Sequence, residues 1–338
     1  MARMKAAQIG KPGAEFEVVE REIPEPGPLQ VRIKVEACGV CHSDVLVKDG
    51  LWPGLQYPRV PGHEISGHID ALGANVRMWK PGQRVGVGWH GGHCFECEPC
   101  RRGDFILCRF AKVTGISYDG GYAEYVVVPQ DAVAAMPDGL AADEAAPLLC
   151  AGITVFNSMR NSGTGPGELV AIQGIGGLGH LAIQYAARMG YRTVAIGRGA
   201  DKEQFAKKLG ALAYIDSGTS DAAKELQQLG GARLIVATAP DAKAMGALQG
   251  GLGPAGELLV IAPPGPISVE TLPLVLMEQK IQGWSSGTAM DSEDTLNFSA
   301  MANVRPMIEK YPLSKVGEAY QQMMSGKARF RVVLTMQG

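Results

Sequence analysis

Residues 41 to 64, CHSDVLVKDGLWPGLQYPRVPGHE, supply a thiol, an imidazole and several carboxylates and hydroxyls within two dozen positions. Cys41 and His63 are too far apart to share one helix face, so a loop must fold back if both are to hold one ion. Their spacing alone does not separate a catalytic metal site from two ordinary core or surface residues. A second group says more. Cys94, Cys97, Cys100 and Cys108 read C-x-x-C-x-x-C-x(7)-C, four soft ligands on one loop with no strand or helix pattern between them. That set suits tetrahedral zinc in a closed, structural site. The third gap does not match the common ferredoxin runs, which disfavours an iron–sulfur cluster. The expected effect is a stiffened loop over about residues 91–110, with Arg101 and Arg102 either offsetting thiolate charge or solvated.

A third pattern points to a nucleotide. Gly174, Gly176 and Gly179 form G-x-G-x-x-G, with Gly177 and Leu178 inside it, between an apolar strand and a helix. In that context the first glycine permits a tight turn, the second lets the backbone approach a pyrophosphate, and the third allows close helix packing. The helix N-terminus adds free N–H groups and partial positive charge. An NAD enzyme would place Asp or Glu at the end of the next strand to accept the ribose hydroxyls. Here the residues are Gly197, Arg198 and Gly199. Losing the carboxylate and gaining a guanidinium suits a ribose 2′-phosphate, so NADP(H) is expected over NAD(H). The alternative reading is that Arg198 is a solvated turn residue or stacks on adenine without selecting the phosphate.

The elements that must position these groups fall into two regimes. Through residue 150 or so, KAAQIG, FEVVERE, VRIKVEACGV, ISGHIDALG, RVGVGW and YAEYVVV read as short strands, punctuated by PEPGP, WPG, KPGQ and YDGG. This predicts a β-rich domain, a partly open barrel. From ELVAIQ onward, apolar strands alternate with helical periodicity in HLAIQYAARM, KEQFAKKLG and DAAKELQQL. That alternation predicts a doubly wound parallel sheet, so the fold class is α/β. The final strand, RVVLTM, could close either domain.

Bulk properties exclude several classes. At 338 residues the chain exceeds the usual reach of one hydrophobic core, and a net charge of -2 gives no field suited to nucleic acid or anionic membrane. No apolar run is long enough for a signal peptide or membrane span. Seven cysteines, four of them clustered, fit metal or catalytic thiols better than a disulfide framework, and a cytoplasmic setting is the simplest reading.

In this order, VEACGVCHSD, VPGHE, the quartet, DGGYAEYVVVP, LLCAGITVF and GIGGLG resemble the zinc-dependent medium-chain alcohol dehydrogenases, closest to the bacterial alcohol and cinnamyl-alcohol-like branches. The likeness spans nearly the whole chain. It implies a GroES-like catalytic domain (1–152), a Rossmann domain (153–287) and a return to the first domain (288–338). It implies two zinc ions per chain, the catalytic one on Cys41, His63 and Cys150. Cys150 alone reads as a small core residue. The family pattern makes Ser43 the hydroxyl that bonds the substrate oxygen and starts a proton relay. It makes Asp44 the carboxylate that orients His63, and sets Glu64 behind the metal, with an internal salt bridge as its other reading. His42 and Arg331 would approach the pyrophosphate, Lys202 the adenosine ribose and Thr154 the nicotinamide, with Trp52 and Trp89 as pocket walls. The implied partners are small alcohols or aldehydes and further copies of the chain, as a dimer or tetramer. One departure stands out: many relatives carry a relay histidine where this chain has Leu46. An NAD-preferring dehydrogenase and a non-catalytic nucleotide or redox sensor are the alternatives.

Overall fold

The computed structural model describes residues 2–336, which form two compact units. One comprises residues up to Ile153 together with those from Gly287 onward; the other is Thr154–Ser286. Residue 1 and residues 337–338, the extreme ends of the first unit's two segments, lie outside the described residues.

The first unit is built on strands β1 (Arg3–Ile9), β2 (Phe16–Glu22), β3 (Gln30–Val40), β4 (Ile65–Leu72), β5 (Arg84–Val87), β6 (Tyr125–Pro129) and β7 (Val133–Ala135). In β6 and the first half of β3 buried side chains alternate with more accessible ones, as a sheet with one face on a core requires, and the last four residues of β3 are all buried. β1 and β2 form an antiparallel ribbon. The seven-stranded sheet runs β4, β5 and β7 from one side of β3, with β6 antiparallel to the first half of β3. Its core gathers Ile33, Ile65, Val85, Tyr122, Val126 and Leu334 among others.

The second unit holds β8 (Leu169–Gln173), β9 (Arg192–Gly197), β10 (Ala213–Asp216), β11 (Ala232–Ala237), β12 (Leu252–Val260) and β13 (Lys280–Gly283). They pair in parallel in the order β10-β9-β8-β11-β12-β13. All five residues of β8 are buried, as a central parallel strand demands. The order reverses between β8 and β11, and ligands of such sheets bind at the carboxyl ends of the strands there.

Strands β14 (Ile308–Pro312) and β15 (Arg331–Thr335) belong to the first unit, and β15 pairs antiparallel with β3. The final strand thus closes the β-rich sheet. Within the cysteine loop a one-turn helix (Glu98–Arg101) and a 3-10 turn (Phe105–Leu107) replace the irregular run expected from sequence. Single turns are too short to leave a periodic signature. Among the described residues no helix is long and apolar enough to cross a membrane.

Candidate active site

The sulfur of Cys41, at the end of β3, lies 3.8 Å from that of Cys150. Cys150 occupies a π-helical turn, Leu148–Gly152, that follows the helix Ala142–Pro147. Pro147 cannot donate a backbone hydrogen bond, and widened turns of this kind recur at functional sites. His63 and Glu64 complete the group: the four potential ligand atoms all lie within 4.8 Å of one another. Zinc–sulfur bonds of about 2.3 Å in a tetrahedron place two sulfurs about 3.8 Å apart, so the Cys41–Cys150 separation fits a shared ion.

The electrostatics agree. Cys150, together with His63 and Arg331, pulls the Cys41 thiol well below its ordinary value against the effect of burial, while Cys41 and burial push Cys150 well above it. Two thiols this close do not both ionise unless a cation stands between them. Burial disfavours a charged His63, but Asp44 and Cys41 outweigh it and raise its pKa well above the usual histidine range. Asp44 Oδ1 faces His63 Nδ1 at 3.4 Å, which assigns the Nδ1 proton and directs Nε2 toward the sulfurs. Ser43 Oγ donates to Cys41 Sγ at 3.1 Å and lies 3.4 Å from His63 Nε2. Trp89 meets the His63 ring edge-on at 5.0 Å, and Trp52 meets Trp89 at 6.1 Å. Leu46 packs with Val47, Val113, Ile116, Leu55 and Trp89.

Behind this group, Glu64 is fully buried and accepts a hydrogen bond from Arg331 Nη2. Glu64 Oε2 has no hydrogen-bond partner, an orphaned acceptor that a cation nearby would explain. Burial raises the Glu64 carboxyl to about 7, with Arg331 opposing the shift. The internal salt bridge expected as the plainer reading of Glu64 is therefore present. Arg331, assigned by resemblance to a pyrophosphate, is itself buried with a carboxylate as its partner.

The quartet is equally compact. Sulfur separations are 3.6 Å for Cys94–Cys108, 3.5 Å for Cys97–Cys100, and 3.9 Å for Cys94–Cys100 and Cys97–Cys108. These again match the edges of a zinc tetrahedron, and all seven cysteines are free of disulfides. Backbone N–H groups of Glu96 and Cys97 donate to Cys94 Sγ, and those of Cys94 and Phe110 to Cys108 Sγ. Such donors favour thiolates over thiols.

In the second unit, Gly174, Gly176, Arg198 and Lys202 line one cavity of about 660 Å³. Gly174 has φ +92, and a Cβ on Gly179 would lie 1.9 Å from the Gly174 carbonyl oxygen, whereas one on Gly176 would meet nothing. Of Gly174, Gly176 and Gly179, only Gly176 has open space where a side chain would stand. Gly177 and Leu178 form the turn that leads into the helix Gly179–Arg188. Arg198 donates to Asp241 Oδ2 at 3.0 Å, a partner that the sequence did not suggest. Thr154 is buried in the helix Ile153–Arg160 and does not line this cavity; His42 is exposed on the 3-10 turn His42–Asp44 of the first unit.

The "Alcohol dehydrogenase GroES-like domain" family matches residues 27–138, and the "Zinc-binding dehydrogenase" family matches residues 177–301. The chain is similar to alcohol dehydrogenase patD of Penicillium expansum, 48% identical over 98% of this chain and 97% of that one. Among solved structures it resembles the CAD of Helicobacter pylori complexed with NADP(H), with TM-score 0.87, 26% identity, and coverage of 99% of each chain. It also resembles the acetophenone reductase of Geotrichum candidum in complex with NAD, with TM-score 0.84, 25% identity, and coverage of 98% and 97%.

Proposed function

Because the chain belongs to the zinc-dependent medium-chain alcohol dehydrogenase family and is an oxidoreductase acting on alcohols, we propose that it interconverts primary alcohols and aldehydes with NADP(H) as the preferred cofactor. In this reading Cys41, His63 and Cys150 hold a catalytic zinc ion and the quartet holds a second, structural one. The convergence of two sulfurs and an imidazole beside the Ser43 hydroxyl carries the proposal.

Zinc there supplies Lewis acidity toward an alcohol or carbonyl oxygen. Cys41, His63 and Cys150 would hold the ion, and the substrate oxygen would bind it beside them. Ser43 Oγ, close to Cys41 and His63, would accept the substrate's hydroxyl proton while passing its own onward, and would run the same exchange in reverse in the reductive direction. Asp44 keeps the His63 ring in one tautomer. Trp89 packs edge-on against the His63 ring and Trp52 against Trp89, an aromatic lining beside the site that favours aromatic or medium-length substrates. The decisive experiment is a panel of alcohols and aldehydes assayed with each cofactor, alongside zinc content. Protein with bound zinc and no turnover would support a nucleotide sensor instead.

Arg198 and Lys202 in the cavity that contains the glycine loop support NADP(H). Asp241 tempers this, because a 2′-phosphate must share or displace its grip on Arg198. Losing one charge-assisted hydrogen bond costs about 1.5–3 kcal/mol. Arg198→Ala is therefore expected to lower the NADPH-to-NADH ratio of kcat/KM by roughly 10- to 100-fold. An unchanged ratio would remove Arg198 from cofactor selection, and a wild-type preference for NADH would make the NAD-linked reading the correct one.

Leu46, which stands where the family resemblance implies a relay histidine, sits in an apolar cluster, so a proton leaving Ser43 must pass to water or another group. Leu46→His is expected to alter the pH profile of alcohol oxidation more than that of aldehyde reduction. Superimposable profiles for the two chains would rule out a relay through this position.

A further inference from the structure

Tyr122 is fully buried, and its role is not explained by packing alone. Its hydroxyl donates to Asp44 Oδ2 at 2.7 Å, an oxygen that also accepts the Cys41 backbone N–H at 2.9 Å. The other Asp44 oxygen faces His63 Nδ1. One carboxylate is thus fixed from three directions, and two of its contacts lie on residues proposed to bind the catalytic ion.

The backbone is arranged to bring the phenol there. Gly120 and Tyr122 donate to the carbonyls of Val60 and Pro61, and Gly121 donates to that of Gly62, tying this segment to the loop that ends in His63. A Cβ on Gly62 would lie 2.4 Å from the Tyr122 ring and 2.9 Å from Cys38 Sγ. With φ +99, Gly62 combines a left-handed backbone with space for the ring to pass the residue before His63. Burial, with Asp44 close by, pushes the phenol's pKa well up, so it remains a donor.

We propose that Tyr122 is a positioning residue for His63, acting through Asp44: its hydroxyl locks the carboxylate so that Nδ1–H stays engaged and Nε2 stays aimed at the ion. The inference rests on the assignment of Cys41, His63 and Cys150 as zinc ligands. Partners one step behind a metal ligand typically change metal affinity by about 10- to 100-fold, and an oriented hydrogen bond one step further out belongs at the lower end.

The test is zinc release from the full-length holoenzyme to a chromogenic chelator, with the two ions resolved in time. Loss of one phase in Cys150→Ala identifies the catalytic ion. In Tyr122→Phe, which keeps the ring, that phase is expected to run about tenfold faster while the quartet phase is unchanged, and the visible spectrum of the cobalt-substituted site should shift. In an Asp44→Asn background, Tyr122→Phe should have almost no further effect. Wild-type release with a wild-type cobalt spectrum overturns the proposal, as does equal acceleration of both ions, which marks general loosening. Additivity with Asp44→Asn overturns it too. A wild-type protein that holds only the quartet ion, or a Cys150→Ala chain that keeps both, defeats the ligand assignment itself and the proposal with it.

Discussion

A Cys150→Ala chain is expected to bind one zinc ion instead of two and to lose about a thousandfold or more of its turnover while remaining folded. The sulfur removed stands 3.8 Å from Cys41 Sγ and supplies half of the thiolate charge that would neutralise the dication. With only Cys41 and His63 left, the ion keeps two strong protein ligands and an unbalanced charge, so retention at ordinary zinc concentrations fails. Packing loses little, because Cys150 is only partly buried and alanine suits a helical turn. Metal analysis and an unfolding curve on the same sample check both halves. A chain with two ions and normal kcat would remove Cys150 from the ligand set. Replacing Cys97 should have the opposite profile, since its loop would hold a different ion: lower stability of residues 91–110 with the proposed active-site ion retained.

What the sequence made legible follows from how local each signal is. The β8 strand and the turn after it show because a buried parallel strand is a continuous apolar run and each motif glycine has its own steric task. The quartet shows because its four ligands sit within fifteen positions. Cys150 does not show from its own neighbourhood: it is 109 residues from Cys41, inside an apolar run, and a π turn delivers it. The resemblance to a family supplied that assignment. Tyr122 meets Asp44 across 78 residues, and Arg198 meets Asp241 across 43. Pairings of this range depend on sheet register and leave no periodic trace. The one local clue to Tyr122 was the paired glycine before it: a side chain on Gly120 would strike the backbone of residues 61–62, and one on Gly121 would strike Ile65 and Cys38.

The widest pairing yields the second large effect. Arg331 and Glu64 stand 267 residues apart in sequence, yet β15 lies beside β3 and delivers the guanidinium to a carboxylate with no exposed surface. A buried pair is no guarantee of net stability, because both ions lose their hydration. Breaking it is another matter: one charge is left without its counter-ion. At a pH well above the Glu64 value of about 7, where the carboxyl must otherwise ionise unpaired, Arg331→Met is therefore expected to destabilise the chain by about 3–5 kcal/mol, read as a lower urea midpoint with little change in slope, and by less at lower pH, where Glu64 protonates. Glu64→Gln in the same chain should restore a large part of that loss, since the uncompensated anion is gone and the amide still fills the site. If the single variant is as stable as wild type, the contact is incidental and Arg331 is free for another role, such as the pyrophosphate assigned to it by resemblance. If the double variant is no better than the single, the cost lies in packing around β15. The discriminating quantity is the coupling between the two positions, because a nucleotide contact alone predicts none in the absence of cofactor, whereas a buried ion pair predicts coupling of about 1 kcal/mol or more.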